Sequence, residues 1–109
     1  MKQTKKSVLD TSFHNDTVSA TPNELITLFG KPMYYTNDGN NFHWDMEDAF
    51  GNVFTIYDWK HYHPLNMDET INWHIGGRIA KITKFAAYHL QKKIDETFPK
   101  LFNQKPKTK

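Results

Sequence analysis

The string Trp73-His74-Ile75-Gly76-Gly77-Arg78 is where residue type and spacing point most directly to chemistry. Two glycines after an alternating apolar stretch let a backbone come close to a ligand. A helix starting just beyond them offers N–H groups with no partner inside the helix. Arg78, with Lys81 one turn on, falls at the positive end of such a helix, where the dipole disfavours both charges. A bound anion removes that conflict. The pattern predicts a phosphate or carboxylate site made by Gly76, Gly77 and Arg78, with Lys81, His74, Lys60 and Tyr57 as neighbouring groups. The plainer reading is a tight strand-to-helix turn, since Gly-Gly is neither a Walker loop nor a dinucleotide fingerprint.

Six histidines raise the question of a metal. His61 and His63 alternate, so both point the same way in an extended chain, and Asp58 or His74 could complete a set. A metal site needs three or four converging ligands and an oriented outer shell. The pair reads instead as exposed, neutral and partly stacked beside Tyr62 and Pro64, with no metal and no cofactor expected. Asp45, Glu47, Asp48 and Asp58 could pair as carboxylates for hydrolysis, and Asp58 sits between Tyr57 and Trp59, an apolar setting that raises a carboxyl pKa. Against this, the open face of an antiparallel sheet is ordinarily charged. No serine sits in a nucleophile elbow and cysteine is absent, so catalysis is the minority reading.

The chain that must position these groups has 109 residues, enough for one domain and no more. Hydrophobic residues make up 38%, so the core is thin and relies on large rings: eight Phe, five Tyr and three Trp. Without cysteine there is no disulfide framework or zinc finger. No apolar run nears the roughly 20 residues of a spanning helix. The opening Met-Lys-Gln-Thr-Lys-Lys does not read as a secretory signal, so a soluble intracellular protein is expected. The net charge of +2 hides a division: residues 1–35 carry four bases and three acids, residues 36–77 one base and seven acids, and residues 78–109 nine bases and two acids. The sheet is then acidic, and the last helix and tail are basic.

Residues 1–17 read as a flexible arm with room for a short strand near Phe13, 18–99 as a single domain, and 100–109 as a lysine-rich disordered tail. Thr21, Pro22 and Glu24 form a helix start with a capping box, and Leu25, Ile26, Leu28 and Phe29 supply its apolar stripe. Gly30 and Lys31-Pro32 stop it after about two turns. Met33 to Tyr35 could be a first strand. In Phe42 to Glu47 the alternation places Phe42, Trp44 and Met46 inward and His43, Asp45 and Glu47 outward. Val53 to Trp59 suits a central strand, and Ile71, Trp73 and Ile75 a further one. A helix of roughly 18 residues starts from Arg78 and is stopped by Pro99, with Ile79, Ile82, Phe85, Ala86, Leu90 and Ile94 on one side. The expected fold is α+β: a short N-terminal helix, an antiparallel sheet of three or four strands, and a long C-terminal helix on one sheet face. Trp44, Ile56, Trp73 and Ile75 belong to the core, while Tyr34, Tyr35 and Tyr62 are expected outside it.

Three strings together, Asn-Glu-Leu-Ile-Thr-Leu-Phe-Gly-Lys-Pro (23–32), Phe-Thr-Ile-Tyr-Asp-Trp-Lys (54–60) and Trp-His-Ile-Gly-Gly (73–77), resemble small, mostly uncharacterised proteins of bacteriophages and large DNA viruses. The resemblance spans about residues 21–95. It implies a viral accessory protein in the cytoplasm of an infected host cell, acting on host or viral machinery. Three function classes follow. The favoured one is a non-enzymatic binding module that captures a phosphate-bearing small molecule or a host protein. The second is a nucleic-acid- or virion-associated protein whose basic tails add weak, non-specific affinity, and the third a small metal-dependent hydrolase using Asp58 and the histidines.

Overall fold

A computed structural model describes residues 1–33, 42–59 and 65–99. Five strands form one antiparallel sheet: β1 (Lys2–Gln3), β2 (Ser12–Ala20), β3 (His43–Glu47), β4 (Val53–Tyr57) and β5 (Ile71–Gly77). Their spatial order is β1-β3-β4-β5-β2. Two helices complete the fold, α1 (Pro22–Phe29) and α2 (Ala80–Thr97). The α+β class and the long helix on the sheet agree with the sequence. The strand count is five instead of three or four, and the short helix is preceded by two strands instead of opening the domain.

The extra strands come from residues 1–17, expected as a flexible arm. They hold β1 and more than half of β2, which pair with β3 and β5 at the two edges. The alternation in β2 is hard to read because its register shifts between Phe13 and Thr17, where Asn15 adopts φ 72°. Asparagine tolerates that left-handed region better than most residues, and a bulge there breaks the period of two.

The capping box of α1 forms as its sequence indicates. Glu24 N–H donates to Thr21 Oγ1 at 3.0 Å, and Thr21 N–H donates to Glu24 Oε1 at 2.9 Å. Gly30 ends the helix with φ 84°. Its carbonyl accepts the Trp44 Nε1–H at 3.0 Å, which ties α1 to the sheet.

Across the inner face, Trp44, Ile56 and Ile75 lie opposite one another on β3, β4 and β5, and Trp73 lies opposite Val18. Trp44 and Trp73 meet edge to face at 5.6 Å, and both are fully buried. Helix α2 covers this face with Thr83, Ala86, Leu90 and Ile94. Its start differs from expectation: β5 continues through Gly76 and Gly77, and the helix begins at Ala80 with Ile79 as N-cap. Neither helix is long and apolar enough to cross a membrane, among the described residues.

Candidate functional site

Alternation that sends Trp44, Ile56 and Ile75 inward sends their neighbours to the outer face. One outer row is His43, Tyr57 and His74, and the next is Asp45, Thr55 and Gly76. Within β3, residues two apart share a face, so His43 meets Asp45, with Nε2 and Oδ1 2.5 Å apart.

Over Thr55 and Gly76 lies a cavity of about 200 Å³, lined by Val8, Thr11, Ser12, His43, Thr55, Tyr57 and Gly76. Hydroxyls and an imidazole share that wall with an about equal apolar surface, and no lining residue carries a carboxylate. Gly76 forms the floor because nothing larger fits. A Cβ there would lie 2.5 Å from Thr55 Oγ1 and 3.6 Å from the Tyr57 ring. Burial pushes the Tyr57 phenol above its ordinary pKa, so the hydroxyl keeps its proton at neutral pH and can donate.

Beside the cavity the rings stack in sequence. His74 lies between Phe13, with centroids 3.8 Å apart and planes 13° apart, and Trp59, at 5.6 Å and 19°. Tyr57 stands edge-on to His74 at 5.5 Å. The His74 Nδ1 is buried and has no hydrogen-bond partner among the described residues. Burial lowers the His74 pKa, because the charged ring would lose water without gaining an acceptor. The unfolded chain takes up that proton near the ordinary value of about 6.5, while the native state resists it. Stability should therefore fall as the pH drops below about 6.5, and stop falling on this account once the folded value is passed. Urea midpoints measured from pH 7.5 to about 5 should drop more steeply for the native sequence than for His74→Phe. Parallel slopes would contradict this environment for the ring.

The predicted anion site is distributed differently. Gly76 faces the outer cavity with Tyr57 and His74 nearby, whereas Gly77 faces α2, where a Cβ would lie 2.7 Å from Thr83 Cγ2. Both glycines lie within strand pairing and not in a strand-to-helix turn. Arg78 is spent on the protein itself: its Nε–H donates to the Leu9 carbonyl at 3.0 Å and Nη2 to the Ser7 carbonyl at 2.9 Å. It thus holds the segment that brings Val8 and Thr11 to the cavity wall. Lys81 lines a separate cavity beside α2. Lys60, His61, Tyr62, His63, Tyr34, Tyr35 and the tail from residue 100 lie outside the described residues.

The carboxylates also have local duties. Asp58 is buried and accepts the Phe42 N–H at 2.7 Å. Asp48 accepts the N–H groups of Phe50 and Asn52 at 2.9 and 3.0 Å, closing the turn before β4. Glu47 accepts the Thr4 hydroxyl at 2.7 Å and pairs with Lys6 at 3.3 Å. The Thr4 bond, helped by Lys6, holds its carboxyl below the usual range despite some desolvation. Of these carboxylates Glu47 has a cation partner in Lys6, while Asp48 and Asp58 accept backbone N–H groups. Among the described residues, no three His, Asp or Glu converge as metal ligands.

Sequence reasoning missed Val8, Thr11, Ser12, His43 and Thr55 as cavity residues. The alternation placed His43 outward, and its two-residue spacing from Asp45 was a usable signal. The wall supplied by residues 8–12 had none, because it depends on β2 returning to the far edge of the sheet. No protein-family model matches this chain, and no curated protein matches it.

Proposed function

We propose that this protein is a non-enzymatic binding module that captures a small phosphate-bearing ligand in the outer-face cavity. The observation that carries the reading is a carboxylate-free pocket whose lining includes the side chains of Thr11, Ser12, His43, Thr55 and Tyr57 and the close-packed Gly76. Its volume of about 200 Å³ falls below the roughly 300–1,000 Å³ of drug-sized ligand sites, so it takes a head group and leaves the rest of a ligand outside. Protonated Tyr57, the Thr55 and Ser12 hydroxyls and His43 backed by Asp45 are the groups offered to an anion. This moves the phosphate site from Gly77 and Arg78 to Gly76, Tyr57 and their outer-face neighbours. The resemblance to phage and viral proteins supports a setting in an infected cell, where stoichiometric capture of a host signalling ligand would blunt a defence.

Melting temperatures with inorganic phosphate, adenosine monophosphate and short DNA test this. A ligand at 100 times its Kd adds about 2.7 kcal/mol, which a small domain reports as a clear rise. Phosphate and the mononucleotide should both raise the melting temperature, and Tyr57→Phe should weaken their binding about tenfold or more, the worth of a hydrogen bond to a charged group. An unchanged affinity in Tyr57→Phe would refute the site. A response to DNA alone, steeply weakened by salt, would favour the nucleic-acid reading instead.

A further inference from the structure

A second cavity, about 400 Å³, lies where the Asp48–Asn52 turn meets the start of α2. Its walls are Phe50, Ile79, Ile82 and Phe85, with Lys81 at the rim. Phe50 and Phe85 approach to 5.6 Å, yet Phe50 is 76% exposed and Ile79 53% exposed. Rings and β-branched side chains left this open on a domain with a thin core are more than scattered surface apolar groups, since they line one concavity.

The charges around it have one sign to offer. Lys84, one turn along α2, pairs with Asp16 at 3.5 Å, whereas Lys81 has no ion-pair partner among the described residues. The first turn of α2 has no acidic residue, and Ile79 gives no side-chain cap. The Ile79 carbonyl accepts the amides of Ile82 and Thr83 at 3.1 and 3.4 Å. Asp48, the one acid in the lining, is 5% exposed and directs both carboxylate oxygens into its own turn. The volume lies within the range of small-molecule sites, and apolar walls with a single cation in the lining complement a ligand of matching polarity.

We infer that this groove binds an anionic amphiphile: an apolar chain lies against Phe50, Ile79, Ile82 and Phe85, and its carboxylate or phosphate head meets Lys81. The site is distinct from the outer-face cavity and its occupant does not depend on that reading. Decanoate, decanol and decyltrimethylammonium, each below its micelle concentration, separate the chain from the head. Backbone amide NMR titration of the full chain should show saturable decanoate shifts at Phe50, Ile79, Lys81 and Phe85. Decanol should bind more weakly at the same positions, and the cation most weakly of the three. Lys81→Met should cost decanoate about fivefold in affinity and leave decanol unchanged, as expected for a partly exposed ion pair. Phe50→Ala, an exposed change that leaves the core intact, should weaken decanoate and decanol together. Equal affinity for the three probes, shifts confined to other surfaces, or no saturable binding would each overturn the proposal.

Discussion

Trp44→Ala is expected to unfold the domain or lower its melting temperature by about 15 °C or more. The indole is fully buried, meets Trp73 edge to face, and donates to the Gly30 carbonyl, so one side chain joins β3, β5 and α1. Truncating a buried Trp to Ala costs about 3–5 kcal/mol, from lost burial and the cavity left behind. The Gly30 carbonyl loses its partner as well. Against a total stability of roughly 5–15 kcal/mol, this is a large fraction. Thermal and urea unfolding followed by near-ultraviolet circular dichroism would read the loss. A variant with an unchanged melting temperature would mean that the inner face of the sheet is not the one Trp44 occupies.

Gly77→Ala is the second large effect, about 1–3 kcal/mol of destabilisation from overpacking. A methyl at this position meets Thr83 Cγ2 at 2.7 Å, closer than van der Waals contact allows. Thr83 cannot turn aside cheaply. It is fully buried, and its hydroxyl donates to Asp16 Oδ2 at 2.7 Å and lies 3.0 Å from the Ala80 carbonyl. Thr83→Ser removes the offending methyl and keeps the hydroxyl. Urea unfolding of the two single variants and the double variant should therefore be non-additive, with Thr83→Ser recovering most of the Gly77→Ala loss. Additive costs would show that the glycine serves something other than the approach of α2 to β5.

These two positions illustrate what the sequence could and could not convey. Trp44 was legible as core because alternation in Phe42 to Glu47 is a local signal, and so was the capping box at Thr21 and Glu24. Gly77 was misread. As letters, Gly-Gly looks like a break, but here small size is demanded by tertiary packing, of Thr55 on the neighbouring strand against Gly76 and of Thr83 on α2 against Gly77. The strand consequently runs to Gly77 and the helix starts later. Tertiary contacts likewise hid the function of Arg78, whose partners are carbonyls roughly 70 residues away in sequence, on a segment read as a flexible arm. Two of the seven proposed ligand residues, Gly76 and Tyr57, line the outer cavity, and His74 lies against its Tyr57 wall. The register that unites them with Ser12 and His43 comes from pairing across four strands, which no single segment encodes.

The most direct test of ligand capture is a backbone amide NMR titration of the full chain with inorganic phosphate and adenosine monophosphate. Saturable shifts centred on Ser12, His43, Thr55, Tyr57 and Gly76, reduced in Tyr57→Phe, are the expected result. Shifts absent from these residues, or confined to Arg78 and its neighbours, would contradict the outer-face cavity as the binding site.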